Sequence, residues 1–150
     1  MSDTVLETRN AAGRRLGRLV GTGLLATVVA MAATATGAAL FRAAGVRFEV
    51  PDGGETIPVS GVAFVTGVFS VVGIVLAVAL LCWSPRPATA FVRTAVVLTA
   101  VSLAPPFVVG ATTGTSLALV VLHLVAATVM VPTLARGLRA GSASSYDSRA

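Results

Sequence analysis

His123 sits in a run of leucine, valine and alanine, LHLVAATVM, and is the side chain in this chain most able to do chemistry. An ionisable group inside a long apolar segment is costly and by default a candidate for function. Neutral imidazole lowers that cost, because it needs only one donor and one acceptor partner. Counted at about 1.5 Å per residue, His123 lies roughly 10 Å inside the nearer end of its apolar stretch. The same depth on the other stretches reaches Thr34, Thr66 or Gly67, and Ser102, which predicts one thin polar layer. The connection from Gly110 to Thr115 is short, so the third and fourth stretches should be antiparallel neighbours, with Ser102 or Thr99 as the first partner for His123. Such a layer could hold a ligand or move a proton, or it could be a satisfied packing contact.

Other polar groups are fewer and weaker. Glu49, Asp52 and Glu55 form an acidic cluster in RFEVPDGGETIP (Arg47 to Pro58), the one connection with structure-forming character. Phe48 and Val50 alternate with Arg47 and Glu49. Pro51, Asp52, Gly53 and Gly54 then supply a turn, and Thr56 and Ile57 return, which predicts a short hairpin. Its carboxylates are explained by turn chemistry and an acidic face more simply than by a bound cation, so no metal or cofactor is expected. Cys82 has no second cysteine in the chain to pair with and reads as a small buried hydrophobe. Pro105 and Pro106 remove two backbone donors and should kink or end a helix there, and Pro132 should act similarly further on.

The elements that must carry these residues are four apolar stretches, Leu19 to Phe41, Val59 to Trp83, Phe91 to Val109 and Ser116 to Leu134. They contain no Asp, Glu or Lys and one Arg, Arg93, near the start of the third. Hydrophobic content of 55% and a mean hydropathy of +0.91 do not suit a water-facing domain. Crossing about 30 Å of hydrocarbon takes about 20 apolar residues, and stretches of this length must pair their backbone internally as helices. The expected fold class is an all-α membrane protein, a four-transmembrane-helix bundle with a hairpin-like extracytoplasmic loop between the first two helices. Its expected organisation is a basic cytoplasmic lead-in over 1–18, a helical domain over 19–139 and a disordered cytoplasmic tail over 140–150.

The net charge of +5 might suggest nucleic acid, but the placement of the arginines argues for topology instead. Arg9, Arg14, Arg15, Arg18, Arg86, Arg93, Arg136, Arg139 and Arg149 fall on one side of the stretches. Arg42 and Arg47 fall on the other, beside the three carboxylates. The excess of arginine on one side predicts both termini in the cytoplasm of an inner-membrane, multi-pass protein. Ala33-Thr34-Ala35 imitates a signal cleavage site, but the apolar run continues through Phe41, longer than a signal core, so a retained anchor is expected. Trp83 is placed as an interfacial anchor.

Small residues at three- and four-residue spacing predict the faces along which helices meet where lipid gives no hydrophobic drive. On the first stretch these are Thr22, Ala26, Ala30, Ala33 and Gly37; on the second, Ala63, Gly67, Ser70, Gly73 and Ala77. The spans hold no buried acid for a proton-coupled multidrug exporter, no cysteine pair for thiol oxidation and no paired axial ligands for haem. No two strong acid, base or nucleophile groups share a depth, so no catalytic residue is assigned and a non-enzyme is expected. The expected role is a membrane component that binds a protein partner or lipid, or forms a homo-oligomer through its small-residue faces. The alternative is a small-solute or ligand-binding transporter-like protein with its site near His123.

The segments FEVPDGGETIPVSGVAFVTG (Phe48 to Gly67), LTAVSLAPPF (Leu98 to Phe107) and LHLVAATVMVPTLARGL (Leu122 to Leu138) together resemble an actinobacterial family of four-helix integral membrane proteins, catalogued as a domain of unknown function. The resemblance implies the same topology and assigns no catalytic or binding roles.

Overall fold

The computed structural model describes residues 2–48, 56–104 and 112–147, with side chains over 9–48, 56–104 and 112–140. Among the described residues there are four helices, α1 (Ser2–Ala43), α2 (Val59–Trp83), α3 (Pro87–Ser102) and α4 (Thr113–Asp147). Segments of α1, α2 and α4 are long and apolar enough to cross a membrane, while α3 is a shorter apolar helix of 16 residues. At 1.5 Å per residue α3 reaches only about 24 Å, short of a full hydrocarbon core.

The helix ends follow from local chemistry. Gly45 takes φ +94, where a side chain would be strained. Its N–H donates to the Arg42 carbonyl (3.0 Å) and the Val46 N–H to the Phe41 carbonyl (2.9 Å). That pair of bonds is a Schellman closure, and Val46 and Phe41 pack on the same small core as its hydrophobic contact. After α2, the Ser84 N–H still bonds the Leu80 carbonyl. Pro85 cannot continue the helix, and Pro87 opens α3 with its φ already helical. Thr112 caps α4: its hydroxyl accepts from the Thr115 N–H (3.3 Å) and its carbonyl from the Ser116 N–H (2.9 Å).

α1 packs against α2 and α4, and α3 sits across the bundle from α1, touching α2 and α4. Antiparallel registers run through the contacts. Against α4, Leu19 lies beside Gly137, the Thr27 hydroxyl reaches Met130 Sδ at 3.9 Å, and Gly37 lies beside Leu122. Against α2, Gly23 lies beside Ile74, Gly67 beside Met31, and Thr34 beside Thr66. Two cores result. The larger, around Leu19, Ile74, Ala77, Phe91, Leu134 and Leu138, closes the end where most arginines lie. The smaller, around Ala38, Phe48, Ala118 and Leu122, closes the other end. Between 22% and 28% of the apolar windows is buried within the chain, so most of the apolar surface faces outward, as lipid or a partner requires.

Several expectations are corrected. The lead-in over 1–18, expected as a flexible segment or a short interfacial helix, is helical and continuous with α1, which begins at Ser2, because Ala, Leu and Arg are good helix formers and no proline interrupts them. The tail expected to be disordered over 140–150 continues α4 as far as Asp147. α3 starts at Pro87 rather than Phe91 and ends at Ser102, since the residue preceding Pro105 is disfavoured in helical conformation. Pro132 does not end α4 but lies inside it, at the cost of one backbone donor. Cys82 is exposed, not buried. Of the hairpin, one rung is seen, the Ile57 N–H donating to the Phe48 carbonyl at 3.0 Å. Glu49, Asp52 and Glu55, with the turn between, lie outside the described residues, as do Pro105 and Pro106.

Candidate functional site

His123 projects from α4 toward α3, half-buried, and its Nε2 lies 2.8 Å from the Ser102 hydroxyl. The Ser102 hydroxyl also lies 2.8 Å from the Thr99 carbonyl, so its proton has two acceptors in reach, and the imidazole tautomer sets which of Ser102 and His123 donates to the other. A hydroxyl activated for covalent chemistry needs a base oriented by a third group, and among the described residues no third group is hydrogen-bonded to the imidazole. Thr99 contributes its carbonyl to this chain of bonds, and its half-buried side chain lies a turn below.

Thr34 and Thr66 meet on the other side of the bundle. Their hydroxyls are 3.1 Å apart, and each also lies 2.9 Å from the carbonyl four residues earlier, Ala30 or Val62. Each hydroxyl has one proton, so Thr66 bonds back to Val62 while the Thr34 proton is shared between Ala30 and Thr66. Thr34 is 1% exposed. Pairing of Gly37 with Leu122 and of Thr27 with Met130 carries Thr34 to the level of His123. The four residues therefore do share a depth. They are brought together two by two, Thr34 with Thr66 and Ser102 with His123, and not as one four-membered cluster.

Below the Ser102–His123 pair an open groove of about 520 Å³ runs between α3 and α4. Val96, Ala100 and Leu103 face Ala127, Val131 and Pro132 across it. Its hydroxyls come from Thr99 and Thr128, and the latter is occupied with the Val125 carbonyl at 2.8 Å. The gap has a simple origin. Ala100 and Ala127 are too small to fill the space between two helices at this level, and Pro132 removes a helical N–H beside them.

The sequence reading missed this groove. The signal was present in two alanines and a proline on different helices, but it becomes readable only once Ser102 and His123 fix the register between α3 and α4. Also missed was Phe48, which takes φ 47 and is 1% exposed, a loop residue that plugs the smaller core.

A bundle of apolar helices, three of membrane-crossing length, with a polar pair above a lateral apolar groove, defines a helical membrane protein with a side-opening site. Residues 14–140 match a family of unknown function (DUF6069), and the chain belongs to that family. No curated protein and no solved structure matches it.

Proposed function

We propose that this chain is a multi-pass inner-membrane protein, both termini cytoplasmic, that performs no chemistry of its own and binds a protein partner or lipid in the plane of the membrane. The observation that carries the reading is the groove between α3 and α4. It is apolar and opens sideways from the apolar part of the bundle. A site of that kind suits a ligand that arrives through the bilayer. Support for a non-enzymatic role comes from the Ser102–His123 pair, whose imidazole has no third group among the described residues to orient it as a base. The transporter-like alternative, with a solute held in the polar layer, is weakened by the division of that layer into two self-paired contacts.

The reading is tested by a photoreactive phenylalanine derivative placed at Val96 or Val131 in native membranes, with the same probe at Val65 on an exposed face of α2 for comparison. A discrete adduct at the groove positions and none at Val65 is expected. Equal labelling at all three positions would remove the groove as a site.

A further inference from the structure

We propose that the groove holds an acyl chain of an anionic phospholipid and that Arg93 and Arg136 take its headgroup phosphate. This names the occupant of the site proposed above and rests on that reading. On α3, Arg93, Val96, Ala100 and Leu103 recur at three- and four-residue spacing, so they share one face. On α4, Thr128, Pro132 and Arg136 do the same at four-residue spacing. The Ser102–His123 bond sets the two helices antiparallel, so descending α3 and ascending α4 leave the groove at the same end. Each helix therefore presents an exposed arginine about one turn beyond the apolar lining.

Neither arginine has a hydrogen-bond or ionic partner among the described residues. The chain's carboxylates stand at positions 3, 7, 49, 52, 55 and 147, none of them on α2, α3 or the part of α4 that borders the groove. A guanidinium at the edge of an apolar groove is placed to meet an anionic headgroup, and its fork of donors matches phosphate. This is also the end of the bundle that carries most of the arginines, which the charge asymmetry assigns to the leaflet facing the cytoplasm, where anionic lipids attract basic groups. The site thus reads as a headgroup anchor and an apolar channel about 10 Å long from Val96 to Leu103.

The test is native mass spectrometry of the full chain in mixed micelles holding equal amounts of phosphatidylglycerol and phosphatidylcholine. The wild-type protein is expected to retain phosphatidylglycerol preferentially. Arg93→Gln with Arg136→Gln should lower that preference roughly ten- to thirtyfold while leaving helicity and monodispersity intact. Arg9→Gln with Arg14→Gln, which removes equal charge from α1, should not. Ala100→Leu with Ala127→Leu fills the groove and should abolish retention with both arginines present. If the glutamine pair keeps the wild-type preference while the filled groove loses lipid, headgroup recognition is overturned and the groove survives as a binding site. If the filled groove retains lipid as the wild type does, both the proposal and the underlying reading fall. Should the filled variant not fold, the glutamine pair and its α1 control decide alone, because exposed, partnerless arginines are not needed for folding.

Discussion

At the scale of single residues, the two side chains that stand out act in different ways. Phe48 tolerates a left-handed backbone because its ring is enclosed by the smaller core at the end of the bundle. Truncating a buried phenylalanine typically costs about 3–5 kcal/mol, and part of that term survives even if Ala relaxes the backbone. Phe48→Ala should therefore lower the thermal midpoint of the detergent-solubilised protein far more than Phe69→Ala, whose ring is 64% exposed. Equal shifts, read by size-exclusion after heating, would show that the plug carries no stability. His123 is a smaller matter energetically. Hydrogen bonds between membrane helices average about 0.6 kcal/mol, because the separated helices find other partners. Asn can also donate toward Ser102, so His123→Asn should reduce stability by about that amount and leave photolabelling at Val96 intact. Loss of labelling in a well-folded His123→Asn variant would give the imidazole a binding role that packing does not.

Helix faces, rather than single residues, decide how closely the elements approach, and two glycines two residues apart on α1 make the point. A Cβ at Gly23 would lie 2.8 Å from Ile74 Cγ1 and 3.1 Å from Leu134 Cδ2, whereas one at Gly21 meets nothing within 4 Å. Gly23→Leu should push α1 off α2 and α4, with overpacking of about 1–3 kcal/mol, while Gly21→Leu should be neutral or slightly stabilising. Comparable melting of the two variants would contradict the packing face. This face was only partly legible in the sequence. α1 carries two overlapping rows of small residues, one through Thr22, Ala26, Ala30 and Gly37, the other through Gly23, Thr27, Thr34 and Ala38. Ala26 and Ala30 are buried as expected, but Thr22 is exposed and bonds back to the Arg18 carbonyl, while Gly23 and Thr27 turn inward. Which row faces the bundle depends on where Ile74, Leu134 and Leu122 project from other helices, and one helix's periodicity does not contain that. The same limit hid the groove. By contrast, the apolar runs marked where the spans lie, and the shared depth of His123, Ser102, Thr34 and Thr66 followed from counting rise per residue. Residue types that force the backbone set the helix ends at Gly45 and Pro87, yet hydropathy placed those ends at Phe41 and Phe91, and it missed Ser2 and Asp147 as well, because polar residues extend a helix that hydropathy alone cannot follow.

For the whole molecule, the lengths of α1 and α4 add a constraint that hydropathy did not supply. At 42 and 35 residues they reach about 63 and 52 Å, well beyond a hydrocarbon core of about 30 Å. Their antiparallel register, with Leu19 beside Gly137, places both excess lengths at the same end of the bundle. That end bears Arg9, Arg14, Arg15 and Arg18 on α1 and Arg136 and Arg139 on α4, so it presents a basic pair of helix ends to one aqueous face. The proposed topology puts that face in the cytoplasm, on the ground of the charge asymmetry. The assignment can be checked on a Cys82→Ala background, needed because the native thiol is exposed. With single cysteines at Asp52 or Ser145, an impermeant maleimide should label the first in intact cells and the second only after permeabilisation. The reverse pattern would invert the topology and move the headgroup anchor to the outer leaflet. Reaction of both positions in intact cells would place the two ends on one side, which requires one helix not to cross. That outcome would be incompatible with the antiparallel register of α1 and α4, in which Leu19 lies beside Gly137 and Gly37 beside Leu122, and would overturn the bundle itself.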